Sequence, residues 1–138
     1  MLESKKRVVF LTYLGLIPFY VHPLLQIDGL DIPNEFSEKT KEISYIYGAL
    51  IVAFLSGMQW QKLIIEDKKN LLLIPFLPLI LVISFDLNST VFFPELVIIL
   101  ALFFSLLIDL YLLKDCKKNW FKKTRIKATI LASISYFL

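Results

Sequence analysis

The sequence predicts an all-α fold, a polytopic transmembrane helical bundle of about five spans, and three observations carry that expectation. Of the 138 residues 57% are hydrophobic, and the mean hydropathy is +0.70, well outside the balance of a water-soluble chain. The apolar residues fall in long charge-free runs instead of the amphipathic patterns of a soluble core. Lys and Arg gather between these runs with a strong bias in side. The length suits one integral membrane domain over residues 1–138.

The first segment runs over residues 8–27 behind the basic cluster Lys5, Lys6 and Arg7, and about 20 apolar residues suffice to cross a bilayer. Pro18 and Pro23 lie inside it, no small-x-small site follows, and more apolar segments come after, so it reads as an uncleaved anchor and not a signal peptide. The second segment covers residues 43–61. The third, residues 71–85, contains Pro75 and Pro78, and an interior proline frees a carbonyl that a neighbour must satisfy. The fourth, residues 93–113, opens with Pro94 and Glu95, which suit a helix start because proline loses no helical bond there and a carboxylate meets the positive helix end.

The fifth segment, residues 120–138, differs from the rest. Its charge-free part, Ala128 to Leu138, is 11 residues long, about 16 Å of helix or half the hydrocarbon thickness. Lys122, Lys123, Arg125 and Lys127 can snorkel toward one interface. The helix is therefore expected to be held against the second and fourth spans, with the C-terminus at or short of the far side.

If each segment crosses, 13 of the 15 Lys and Arg fall on one side and 2 on the other. The positive-inside rule then puts the N-terminus in the cytoplasm or the mitochondrial matrix. Asp28, Asp31, Glu35, Glu38, Glu42, Asp86 and Glu95 make the opposite face acidic. The net charge of +3 reflects topology and contact with membrane lipids, with no nucleic acid needed to explain it. One cysteine, Cys116, without a CxxC or a Cys/His cluster, leaves no metal site and no cofactor in view. No hydrolase, metalloprotease, P-loop or dinucleotide fingerprint is present, so the chain does not read as an enzyme.

The stretch YGALIVAFLSGMQW, Tyr47 to Trp60, is the most informative. Ala49, Ala53 and Gly57 recur at i, i+4 and i+8 with Gly48 and Ser56 beside them, which predicts a small-residue stripe for close helix packing. Trp60 and Trp120, with Lys122, Lys123 and Arg125, read as interface anchors. Gln59 lies about one turn deeper than Gln61 and is expected to bond another helix or water. Asp109, near the end of the fourth segment, is the other candidate for a polar intramembrane site, or else a partner of the following basic cluster. His22 reads as an interfacial hydrogen bonder, having no second His or Cys for a metal.

The LGLIPF of Leu14 to Phe19, the Tyr47 to Trp60 stretch, the aliphatic segments with Pro75 and Pro78, and NWFKKTRIKATI of Asn119 to Ile130 resemble the transmembrane protein 69-like family, catalogued as domain of unknown function 3429. The resemblance covers nearly the whole chain. It implies a small multi-helix protein of proteobacteria or mitochondria and brings no established activity. The family commonly has histidine just before this tryptophan, where this chain has Gln59. Glutamine keeps the hydrogen bonds and loses the proton switch. The residues together point to a non-enzymatic accessory, assembly or structural component of an inner-membrane complex, associating with other integral subunits or with itself. The alternative is a small-solute, ion or proton transporter or channel acting as an oligomer.

Overall fold

A computed structural model describes residues 2–27, 31–86 and 93–138 of the chain. Among these residues every regular element is helical: α1 (Leu2–Leu14), α2 (Ile17–Leu25), α3 (Asn34–Ile65), α4 (Leu77–Asp86), α5 (Pro94–Leu112) and α6 (Asn119–Ser135), with two 3₁₀ turns before α4. Three stretches, Leu2–Leu25, Asn34–Ile65 and Pro94–Leu112, are long and apolar enough to cross a membrane, and Lys69–Ser84 is a shorter apolar helix. Asp28 and the side chain of Asp86, both expected on the acidic face, lie outside the described part. The chain forms two compact units, Met1–Tyr47 with Lys117–Leu138, and Gly48–Cys116.

In the first unit, the first apolar segment is broken, not continuous. Pro18 has no N–H to give to Leu14 O, and the Phe19 N–H, which an unbroken helix would bring to Gly15 O, bonds Leu16 O at 3.1 Å instead. Gly15 O is left to a side chain, and the Tyr47 hydroxyl of α3 donates to it at 2.8 Å. Two further tyrosines do the same elsewhere. Tyr20 of α2 donates to Leu131 O of α6 at 2.6 Å, and Tyr136, just past α6, donates to Ser44 O of α3 at 2.9 Å. The three bonds form a closed circuit: α2 to α6, α6 to α3, and α3 back to the α1–α2 break. Phe19, buried at its centre, meets the rings of Tyr47 at 5.0 Å and Tyr136 at 5.8 Å edge-on, a favoured aromatic geometry.

The circuit also fixes direction. Lys5 lies over Trp120, Tyr20 bonds Leu131, and Phe19 meets Tyr136, so α6 runs parallel to α1–α2. Its contacts are with α1 and α2 and, through Tyr136, with α3. The fifth segment was expected against the second and fourth. It takes the first as its main neighbour, through the Tyr20 hydroxyl on Leu131 O, Lys5 over Trp120 and Phe19 against Tyr136.

In the second unit, α3 and α5 are likewise parallel, since Gln59 bonds Ser105 and Asp109 while Lys62, one turn on, bonds Leu112. The chain returns between them through the 3₁₀ turns Lys69–Leu71 and Ile74–Phe76 and then α4. Pro75 and Pro78 are both fully buried. Neither breaks a long helix as expected: Pro75 is the middle residue of the 3₁₀ turn and Pro78 sits in the first turn of α4, where a missing N–H costs nothing. Leu63, Ile108 and Leu112 form the core under Leu71, Leu72, Ile74 and Phe104. Helix α3 ends on Asp67, whose φ of 54° is the left-handed conformation of a C-terminal cap, with the Lys68 N–H returning to Leu63 O at 3.0 Å.

Removing single hydroxyls tests the circuit. Tyr47→Phe leaves Gly15 O without its donor and should cost about 1–3 kcal/mol. Tyr20→Phe removes a bond from a carbonyl already inside a helix and should cost about 0.6 kcal/mol, the average for interhelical bonds in membranes. Thermal unfolding in detergent checks the order, and equal losses would mean that the break at Gly15 is not what Tyr47 stabilises.

Candidate functional site

The buried face of α3 is set by residues three or four apart: Thr40 and Ser44 in the first unit, then Gly48, Val52, Ser56, Gln59 and Leu63 in the second. Only part of the expected small-residue stripe lies on it. Gly48 and Ser56 are buried, Ala49 and Ala53 are half-buried, and Gly57 is exposed. A Cβ built on Gly57 would meet no heavy atom within 4 Å. Packing within the chain is therefore corrected for Gly57: the contact face is turned by one residue, about 100° on a helix. Val52 and Ser56 fill the place assigned to Ala53 and Gly57.

Gln59 sits on this face, 3% exposed, and it joins the two residues proposed for an intramembrane polar site. Its amide nitrogen donates to Asp109 Oδ1 at 2.7 Å, to Ser105 O at 3.0 Å and to Ser105 Oγ at 3.2 Å. Two N–H hydrogens thus serve three acceptors. The opposite amide orientation would set Oε1 against a carboxylate and a carbonyl, two groups with no hydrogen to give, so the neighbours dictate the one observed. The outcome is that Gln59 Oε1 is buried with no hydrogen-bond partner among the described residues. Chemically the cluster is a carboxylate held by an amide that cannot itself take up a proton, in an otherwise aliphatic part of α5.

One turn further along α3, Lys62 donates to Leu112 O at 2.6 Å, a cation on the negative end of α5, and it approaches Glu66 at 3.6 Å. Lys68 meets the same carboxylate at 2.8 Å. That bond holds the Glu66 carboxyl below the ordinary carboxylate range, with Lys62 adding to the effect, and it raises Lys68 in turn. Glu66 has the depressed value in the folded state, so its contribution is present at neutral pH and lost as pH falls through that value. Exposure keeps the contribution small.

Ser105 and Lys62 were not picked out from the sequence. The signal for Ser105 was its spacing, i and i+4 with Asp109 in an aliphatic helix; for Lys62 it was its place three residues after Gln59. Trp60 is partly exposed, with Phe76 edge-on at 6.1 Å. Trp120, Lys122 and Arg125 are half-buried and Lys123 is exposed. In the first unit, the Thr40 hydroxyl donates to Ser37 O at 2.8 Å, so it accepts from His22 Nδ1–H at 3.1 Å. His22 Nε2 then accepts from Gln26 Nε2 at 3.1 Å, which defines a neutral imidazole with both nitrogens engaged. Cys116 is a free, half-buried thiol, and among the described residues no group of three His, Cys, Asp or Glu side chains could hold a metal ion.

Long apolar helices, hydroxyls bonded to backbone and a polar cluster between helices define an integral membrane protein of the all-α class. The chain belongs to the family described as "Protein of unknown function (DUF3429)", whose model matches residues 4–138. It is also similar to transmembrane protein 69 of Mus musculus, 30% identical over 146 aligned positions that take in 99% of this chain and 56% of the mouse protein. The chain thus spans little more than half of that relative. No solved structure matches it.

The turned contact face has a direct test. Gly57→Ala should be neutral or stabilising by up to about 1 kcal/mol, the helix-propensity gain of alanine over glycine. Ser56→Leu, at a residue 1% exposed, should cost about 1–3 kcal/mol by overpacking. Unfolding midpoints of the purified variants in one detergent check this, and a larger loss at Gly57 would restore the original stripe.

Proposed function

We propose that this protein is a non-enzymatic accessory, assembly or structural component of an inner-membrane complex. The observation that carries the reading is where the buried hydroxyls go. Ser56 donates to Val52 O, Thr124 to Trp120 O, Ser133 to Thr129 O and Ser135 to Ala132 O, each within its own helix. A solute pathway needs polar groups turned toward the solute, and these are bonded inward. The outer face of α3, with Leu50, Phe54 and Met58 exposed around the open position of Gly57, suits lipid or another integral subunit. The strong Lys/Arg bias favours the bacterial cytoplasmic membrane, or the inner membrane of a mitochondrion.

One observation favours a second reading, a small-solute or proton transporter or channel working as an oligomer: the orphaned Gln59 Oε1 beside the Asp109 carboxylate. Purification in mild detergent with identification of co-purifying chains separates the two. The accessory reading expects a stoichiometric set of other membrane chains, retained by Asp109→Asn. A pure oligomer whose unfolding midpoint rises with a cation or small solute, and loses that response in Asp109→Asn, would replace it with the second reading.

A further inference from the structure

We propose that the adjoining N-terminal ends of α1 and α6 form a binding site for the phosphodiester headgroup of an anionic phospholipid. The sequence keeps its two densest basic clusters far apart, three cations in Lys5–Arg7 and six in Lys117–Lys127. The fold of the first unit brings them together. Helix α1 packs on α6, and Lys5 Nζ lies 5.7 Å from the centroid of the Trp120 ring. Lys122 and Arg125 have partners of their own; against the other seven cations the same two stretches, residues 2–14 and 117–135, offer one acid, Glu3, which reaches Arg7 at 4.0 Å.

Gathering like charge at a membrane boundary is unfavourable unless an anion offsets it. Helix α6 makes the imbalance greater, since its positive end has no acidic residue in the first turn and no side-chain cap from Lys118, where a helix ordinarily draws Asp or Glu. The site is therefore shaped for an anion from outside the chain.

A lipid, in preference to a free anion, is indicated by what continues from the cations. On α1, Lys6, Phe10 and Leu14 follow at i, i+4 and i+8, on one helix face. Phe10 is 65% and Leu14 46% exposed. Exposed cation, then aromatic ring, then aliphatic side chain is the order of a headgroup, a glycerol backbone and an acyl chain. Trp120, half-buried in the first turn of α6, marks the headgroup level at which indoles settle.

The test uses the full chain in a neutral detergent, titrated with phosphatidylglycerol, with phosphatidylcholine, or with inorganic phosphate. Bound lipid is read by native mass spectrometry and the unfolding midpoint is followed in parallel. Phosphatidylglycerol should be retained in preference to phosphatidylcholine and should raise the midpoint. Lys5→Gln with Lys6→Gln, and separately Lys117→Gln with Lys118→Gln, should each weaken that preference by about fivefold per lysine removed. The control Lys39→Gln with Lys69→Gln removes the same charge elsewhere and should keep it. All four target lysines are exposed, so midpoints in phosphatidylcholine alone should match the parent. Unchanged preference in either target pair, an equal loss in the control pair, or stabilisation by inorganic phosphate equal to that by phosphatidylglycerol would overturn the proposal.

Discussion

A backbone carbonyl in hydrocarbon has no water to turn to, and every place where the helical ladder fails must be supplied with a donor from within the protein. The break between α1 and α2 is such a place. Pro18 removes one donor and the local 3₁₀ turn diverts another, leaving Gly15 O to the Tyr47 hydroxyl. That one bond requires α3 to run beside the break, which in turn sets Tyr47 against Phe19 and brings Ser44 to where Tyr136 can reach it. Tyrosine suits the task because its ring is apolar and its hydroxyl is a donor at the tip. Three of them hold three helices without burying a charge.

The same constraint accounts for the small hydroxyl residues. Lipid gives little hydrophobic drive for one helix to leave it for another, so packing and internal hydrogen bonds must do what water exclusion does in a soluble core. Serine and threonine allow close approach and can bond their own helix at i−4, as Ser56 and Ser133 do. Gln59 departs from this economy. It is large, it bonds across to α5, and one of its polar atoms remains unsatisfied. Among the described residues it is the one buried side-chain polar atom without a partner, and such an atom is the natural place to look for chemistry.

The all-α class and the membrane environment were legible because composition and run length act locally and add up over whole segments. The ends of the segments were less so. Hydropathy begins near Ile43, whereas α3 begins at Asn34, because its first turns are polar and supported by the Glu35–Lys39 pair at 3.6 Å, a helix signal that hydropathy does not see. The phase of the packing face was not legible. Gly48 and Ser56 lie one residue away from Ala49 and Gly57, and nothing within the stretch says which pair the neighbouring helix meets. The cluster of Gln59 and Asp109 was visible as two candidates, since polar residues in an aliphatic run stand out, but not as a contact. The tyrosine circuit was invisible for a different reason: each donor bonds a backbone carbonyl, and a carbonyl has no residue type.

Helix α6 shows how far that bookkeeping of carbonyls reaches. Its basic first half meets Lys5 near Trp120 and its end meets Phe19 through Tyr136, while α2 continues to Leu25. Six residues of α2 lie beyond that meeting point, about 9 Å of helix. The last four carbonyls of a helix have no partner in its own ladder, and in α6 those of Ala132, Ser133 and Ile134 are bonded by the chain itself. Leu131 O accepts from Tyr20, Ala132 O from the Ser135 hydroxyl, Ser133 O from the Tyr136 N–H and Ile134 O from the Phe137 N–H. Leu131 O, still within the helical ladder, takes the Tyr20 hydroxyl as an added donor, and three of the four terminal carbonyls are bonded by one side chain and two backbone groups. Helix α6 is short and amphipathic beside α1–α2, with its cations gathered in its first half and most of its terminal carbonyls bonded by the protein itself.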